Sequence, residues 1–165
     1  MKTVTNPLVA SLLALMLTLA PAAVFAHGDE HTASADYDAV DTEFGSYEPG
    51  MTATRTIEVD MNDQMRFTPA LIEVRKGEVI RFVHTNSGQL MHEFVLGTAE
   101  TLAEHAEMMK KFPGMEHSEP YMAHVAPGKK GEIIWKFSES GEFGFGCLIP
   151  GHFDAGMKGR VLVGS

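Results

Sequence analysis

The sequence predicts an all-β domain, a β-sandwich or barrel, with one inserted helix and an N-terminal tail. Stretches in which apolar and polar residues alternate recur from residue 53 onward, and this period of two is that of half-buried strands. Turns that contain Gly or Pro separate these stretches, and a little over 100 residues hold all of them. Many short strands in so short a chain are typical of sandwiches and small barrels.

The first 26 residues are interpreted as a signal peptide that is cleaved. Lys2 precedes an apolar run from Leu8 to Ala20, and "VFA" stands directly before His27, as signal peptidase requires. At roughly 13 residues this run is shorter than the about 20 needed to cross a bilayer. We therefore expect export to the periplasm and no membrane insertion after cleavage. An uncleaved N-terminal anchor is the alternative.

Residues 27–52 are acidic, rich in small residues and without apolar periodicity, which predicts a flexible tail before a folded domain over 53–165. Without the signal peptide the chain has 12 basic and 22 acidic residues, a net charge of about −10. Nucleic acids and anionic membrane surfaces bind basic faces, so neither is expected as a partner. The charge suits a partner with a basic patch, or simply solubility.

Seven stretches of the domain have the composition of strands. "TRTIEVDM" alternates with Ile57, Val59 and Met61 on one face, and Lys76-Gly77 marks a turn between the next two strands. "GEIIWKF" and "EFGFGC" likewise alternate, the second with Cys147 on its apolar face. The predicted strands are 54–61, 70–75, 78–86, 92–96, 131–137, 142–147 and 159–164.

One segment has helical spacing instead. In "TLAEHAEMMKKF" a capping box is predicted from Thr101 to Glu104, and Leu102, Ala106 and Met109 share one face. A helix over about 99–112 is expected, followed by a loop dense in Met and His, "PGMEHSEPYMAHVAPG".

Cys147 is the one cysteine in the chain, so it cannot form an internal disulfide in an oxidising compartment. It begins the pattern Cys147-x4-His152-x4-Met157 in "CLIPGHFDAGM". A thiolate, an imidazole and a thioether form a soft donor set that selects copper. His92, at a strand start about 55 residues upstream, is the best candidate for a second imidazole. A buried inert thiol and a loop histidine are the alternatives for Cys147 and His152 taken singly.

With "NSGQLMHEF", this pattern and the following "KGRVLVG", the sequence resembles the cupredoxins, the blue-copper family that includes plastocyanin, azurin and pseudoazurin. The resemblance implies a cupredoxin-like Greek-key β-sandwich or barrel over 53–165. It also implies one type 1 copper centre, with His92, Cys147 and His152 in a trigonal plane and Met157 as the weak axial ligand. Many cupredoxins have Asn or another small polar residue directly after the first histidine ligand, where it ties the ligand loops together by hydrogen bonds, whereas this chain has Glu93.

The exported sequence, the histidines of the tail, the inserted helix and the Met/His loop look like the CopI-type cupredoxins, which are linked to bacterial copper tolerance. Additional copper ions are a hypothesis for two groups. After cleavage His27 would offer its amine and imidazole, with His31 nearby; incidental histidines in a tail are the alternative. Met115, His117, Met122 and His124 are the second group, favoured over His105, Met108 and Met109 on the helix, where packing is the alternative.

Three classes of function follow. The first is a copper-tolerance protein with a Cu(I)/Cu(II) redox centre, which binds copper ions and works with a periplasmic redox or copper-handling protein. The second is a periplasmic electron carrier. The third, an enzyme that uses Cys147 and His152 as nucleophile and base or a catalytic zinc protein, is the poorest, since Met157 helps neither chemistry and a saturated centre leaves no open position. We therefore expect no enzyme, with oxidation of Cu(I) left open.

Overall fold

The computed structural model describes residues 37–115 and 117–165, which form two β-sheets and one helix. The six-stranded sheet has the order β1-β2-β9-β6-β3-β4, and the five-stranded sheet has the order β5-β11-β10-β7-β8. The predicted all-β sandwich with one inserted helix is confirmed. In chain order the elements are β1 (Val40–Thr42), β2 (Gly45–Tyr47), β3 (Arg55–Asn62), β4 (Arg66–Thr68), β5 (Leu71–Arg75), β6 (Val79–Asn86), β7 (His92–Gly97), α1 (Ala99–Lys111), β8 (Met122–Val125), β9 (Lys130–Lys136), β10 (Gly141–Gly146) and β11 (Lys158–Gly164).

The core lies between the sheets and follows the alternation in the sequence. On β6 every second residue is buried, as expected of a strand with one face inward. Trp135 and Phe137 are fully buried as predicted, while Ile57 on β3 is buried only in part. The aromatic rings of this core pack mostly edge to face or tilted, with Phe94 stacked on Phe145 at 4.9 Å.

The five-stranded sheet brings the predicted ligands to one end of the sandwich. Strand β10 pairs antiparallel with β7, so that Gly146 lies opposite Val95. The end of β10, where Cys147 follows, is therefore beside the start of β7, where His92 stands. Strand β11 pairs with the other edge of β10, with Gly146 opposite Lys158, and returns the chain after Met157 to the same end.

Helix α1 has the predicted extent and the predicted buried face, Leu102, Ala106 and Met109. Its capping box is one turn earlier than predicted. Thr98 is the N-cap and accepts from the Thr101 backbone N–H, while the Thr101 hydroxyl accepts from the Thr98 backbone N–H. A threonine hydroxyl therefore takes the place at N3 that Glu or Gln usually fills.

The prediction of a flexible tail over 27–52 is wrong for residues 37–52. Strands β1 and β2 form an antiparallel hairpin, and Ser46 pairs with Lys136 at the edge of the six-stranded sheet. Phe44 stacks on Trp135 at 5.3 Å, and the Trp135 indole N–H donates to the Phe44 carbonyl at 3.2 Å. One buried aromatic ring between two short strands offers no periodicity for a sequence pattern to detect. Residues 1–26 and the tail histidines His27 and His31 lie outside the described residues.

Two further strands were not predicted, β4 and β8. Strand β8 lies inside the predicted Met/His loop and pairs with β7, with Glu93 opposite His124 and Val95 opposite Met122. Met122 and His124 are thus strand residues, whereas a loop was expected. Among the residues that the structure describes, no helix is both long and apolar enough to cross a membrane.

Candidate metal centre

Three of the four predicted copper ligands converge at one end of the sandwich. One ligand atom each of His92, Cys147 and His152 lies within 4.8 Å of the other two. Cys147 Sγ is 3.3 Å from His152 Nδ1, and the two imidazole rings are 5.1 Å apart between centroids. In residues 37–115 and 117–165 this is the one group of three or more His, Cys, Asp or Glu side chains close enough to share a metal ion.

The loop from Cys147 to Met157 curls back on itself through backbone hydrogen bonds. The Cys147 N–H donates to the Met157 carbonyl, and the Met157 N–H donates to the His152 carbonyl, both at 3.0 Å. Gly151 and Gly156 have φ of +91° and +95°, values that glycine adopts without strain. Met157 is fully buried, and its backbone carbonyl is hydrogen-bonded to Cys147. The fourth predicted ligand therefore lies at the end of the same loop.

His92 is held by a carboxylate that the sequence analysis did not identify. His92 Nε2 is 3.0 Å from Asp63 Oδ1, in the turn between β3 and β4. The same carboxylate accepts from the backbone N–H groups of Gln89 and Leu90 at 2.7 and 3.2 Å, which fixes the chain before His92. A proton on Nε2 that is donated to Asp63 leaves a lone pair on His92 Nδ1, as a metal ligand requires. His92 Nδ1 is buried and has no hydrogen-bond partner.

The donor set fits copper. Two imidazoles, one thiol and one thioether at a buried position form the His₂Cys arrangement with a Met that is typical of blue-copper sites. Burial raises the pKa of Cys147 to about 12, so in the metal-free protein this side chain is a neutral thiol. The pKa of His152 is lowered, first by burial and then by the neighbouring His92, so its imidazole is neutral and free of a competing proton. A metal that binds the thiolate must therefore displace the proton of Cys147.

Glu93 packs against the same cysteine. Its backbone N–H donates to Cys147 Sγ at 3.3 Å, and its side chain is buried. One carboxylate oxygen accepts from the Leu148 N–H at 3.3 Å, and the other lies 2.8 Å from His124 Nε2. The departure from Asn at this position thus introduces a carboxylate beside the centre.

The second predicted group of copper ligands is only partly brought together. His117 Nε2 lies 2.8 Å from His105 Nε2, and the ring of His117 is 6.4 Å from that of His124. Met122 packs with Leu102 and other buried residues under the helix, and Met115 is exposed. His105, which the sequence predicts less strongly than the loop residues, thus contacts His117 directly. Burial, and then His117, lowers the pKa of His105.

The sequence did not indicate a role for Asp63, because no motif or spacing in the neighbouring residues distinguishes it from other polar turn residues. It belongs to a polar turn, "NDQ", 29 residues before His92, and such turns are common on protein surfaces. The parallel pairing of β3 with β6 carries this turn to the loop before His92. Only the three-dimensional structure shows that Asp63 contacts His92.

Comparison with known proteins agrees with this site. The sequence family described as copper binding proteins, plastocyanin/azurin family, matches residues 53–164. A copper-resistant cuproprotein CopI from Rubrivivax gelatinosus is 47% identical over 161 residues, which is 97% of each chain. A protein of the same name from Pseudomonas aeruginosa is 36% identical over 149 residues, 73% of this chain and 82% of that one. The crystal structure of a reduced auracyanin from Roseiflexus castenholzii has a TM-score of 0.60 at 21% identity, and covers 69% of this chain and 100% of its own.

Proposed function

The chain belongs to the plastocyanin/azurin family of copper-binding proteins, and on this premise we propose that it is a periplasmic type 1 copper protein that contributes to copper tolerance. We propose a one-electron Cu(I)/Cu(II) redox centre and no enzymatic activity at an open substrate position. His92, Cys147 and His152 would hold the metal, with Met157 as the weak fourth ligand.

The observation that carries this proposal is the convergence of His92, Cys147 and His152 at a buried position, where His92 Nδ1 has no other partner. When bound there, copper supplies a one-electron couple. The chain contributes the rest. The two backbone hydrogen bonds that join Cys147, His152 and Met157 and the carboxylate of Asp63 fix the ligands before any metal arrives. A fixed ligand set needs little rearrangement when an electron enters or leaves.

Two observations favour tolerance over simple electron transfer. The relatives that match most of this chain are named copper-resistant cuproproteins. In addition, the His105–His117 pair, with His124 nearby, supplies imidazoles that an electron carrier does not need. We propose that this pair and the tail histidines His27 and His31 take up additional copper ions.

The test is the copper content and visible spectrum of the mature protein, titrated with Cu(II) and then with Cu(I) under reductant. Deletion of residues 27–36 removes both tail histidines and spares the β1–β2 hairpin, which a longer deletion would destroy together with the Phe44–Trp135 stack. A double variant, His105→Ala with His117→Ala, removes the pair. Glu104→Ala, an exposed substitution on the same helix, is the control.

We expect one coloured centre in all four proteins and less copper bound per chain in the deletion and the double variant. The absence of any coloured centre in the wild-type protein would overturn the copper proposal. One copper per chain in every variant would overturn the tolerance proposal in favour of a carrier. The observation that favours a carrier is the exposure of Leu90 and Met91 directly before His92, an apolar surface of the kind that docking uses.

A further inference from the structure

Glu93 is a buried carboxylate that connects the copper loop to another strand. Only 4% of its surface is exposed, although it carries an acidic group. Its oxygens have two separate partners, the Leu148 N–H at 3.3 Å and His124 Nε2 at 2.8 Å. Burial of an ionised group is costly unless it is paired and hydrogen-bonded, so both contacts are needed to keep the side chain where it is.

Both ends of Glu93 act on the surroundings of Cys147. The backbone N–H of Glu93 donates to Cys147 Sγ, and the side chain holds Leu148, the residue that directly follows the cysteine. The hydrogen bond to the sulfur and the hydrogen bond to the Leu148 N–H, which fixes the next peptide group, together restrict where Sγ can lie. Outer-shell contacts of this kind orient metal ligands and tune the metal.

His124 is the outer support of this arrangement. It lies on β8, directly opposite Glu93 in the β7–β8 ladder, and its side chain is 38% exposed. Without the His124 contact, one oxygen of the buried carboxylate would lose its partner. The desolvation cost of that oxygen would then favour rotation of the Glu93 side chain towards solvent. The position of Leu148 therefore depends on a histidine of the neighbouring strand β8.

We infer that Glu93 is a positioning residue for the copper centre, which holds the Cys147–Leu148 segment through its carboxylate and is itself held by His124. The inference rests on the copper centre proposed above. It predicts two separable effects, one on the geometry of the loop and one on the preference of the centre for Cu(II) over Cu(I). A negative charge beside the metal favours the more positive ion, so its removal must favour Cu(I).

The variants are Glu93→Gln, which keeps an acceptor and removes the charge, Glu93→Ala, which removes both, and His124→Ala. Glu58→Gln, an exposed position on β3, is the matched loss of one negative charge. The first readout is the hydrogen exchange of the Leu148 amide in the metal-free protein. The others are the thiolate-to-copper absorption band and the ratio of Cu(II) to Cu(I) affinity of the loaded protein.

We expect Leu148 exchange to rise about tenfold in Glu93→Ala, which corresponds to the loss of one charge-assisted hydrogen bond, and also to rise in His124→Ala. Glu93→Gln should leave the exchange rate near wild type and lower the ratio of Cu(II) to Cu(I) affinity by about tenfold, the lower end of the effect of outer-shell substitutions. Glu58→Gln should change neither. Glu93→Gln also keeps the test valid should Glu93→Ala fail to fold.

Wild-type values of the Leu148 exchange rate, the absorption band and the affinity ratio in the Glu93 variants would overturn the inference while leaving the copper proposal intact. Failure of the proposed function can also be distinguished from failure of the inference about Glu93. If the wild-type protein forms no coloured centre, the proposed function fails, and the exchange of Leu148 in the metal-free protein still decides whether Glu93 positions the loop.

Discussion

Asp63 Oδ1 lies 3.0 Å from His92 Nε2. A carboxylate on the turn after β3 thus contacts one ring nitrogen of His92, and the other ring nitrogen, Nδ1, remains available to a metal. Three donors share this carboxylate: His92 and the backbone N–H groups of Gln89 and Leu90. These donors lower the pKa of Asp63, the Gln89 backbone bond most. An ionised Asp63 makes His92 Nδ1 a stronger electron-pair donor to a metal and fixes the tautomer of the imidazole.

Asp63→Asn should weaken Cu(II) binding more than Cu(I) binding. The amide carries no charge, and it offers one oxygen acceptor where the carboxylate offers two. The expected loss in Cu(II) affinity is about tenfold, the lower end of the range for outer-shell partners, because Asp63 is partly exposed and solvent screens its charge. Competition with a chelator of known affinity measures it, and Asp41→Asn, on the exposed side of β1, is the control. Equal affinities for both variants would contradict the role of Asp63.

Cys147→Ser should abolish the colour of the copper-loaded protein. The intense absorption of a type 1 centre arises from the thiolate, and a serine hydroxyl at neutral pH is neither an anion nor a soft ligand. The fold should persist, since the substitution removes little volume from the core; the far-ultraviolet circular dichroism checks this. Retention of the colour would show that the ligand assignment is wrong.

The thiol of Cys147 should be unreactive in the metal-free protein. Burial raises its pKa to about 12 and it has no exposed surface, whereas the thiolate is the reactive form. We expect an aromatic disulfide reagent to react with it at pH 8 at least about a hundredfold more slowly than with the unfolded chain. The measurement is the rate of thiol release with and without denaturant. Rapid reaction of the folded protein would indicate that the loop opens when no metal is bound.

The sequence predicts those parts of the fold in which apolar residues alternate over five or more positions. Strands β3, β6 and β9 are of this kind, and their inward residues form the core. Strands β1, β2 and β4 have three residues each, too few to show a period, and they are stabilised by tertiary contacts such as Phe44 on Trp135. Strand β8 contains Met122 and His124, whose residue types suggested metal binding rather than a strand.

The same division holds for the metal centre. Cys147, His152 and Met157 stand close together in the chain, and their spacing predicts a common site. His92, at a strand start, is the best candidate for the second imidazole, and the resemblance to cupredoxins implies the same residue. Asp63 could not be predicted, because its relation to His92 is made by the pairing of β3 with β6. Glu93 was recognised as a departure from the family pattern, but its contact with Leu148 depends on the β7–β10 pairing.

His84 is fully buried on β6, with its ring 4.2 Å from that of Phe94. Neither ring nitrogen has a hydrogen-bond partner of good geometry. Burial lowers the pKa of His84 to about 3, against a weaker opposing effect of the Gly131 backbone. The unfolded chain takes up this proton near pH 6.5 and the folded chain only near pH 3. The stability that neutral His84 permits is therefore complete above about pH 6.5 and is lost as the pH falls towards 3.

His84→Leu should remove this dependence, because leucine fills a similar volume and takes up no proton. Each pH unit below about 6.5 should cost the wild-type protein up to about 1.4 kcal/mol relative to the variant, with about 5 kcal/mol as the upper limit near pH 3. The measurement is the free energy of unfolding of both metal-free proteins in urea between pH 7.5 and 4. All other titratable groups are the same in both proteins, so their contribution cancels in the difference. Parallel curves would show that His84 is not the group that makes the folded protein sensitive to acid.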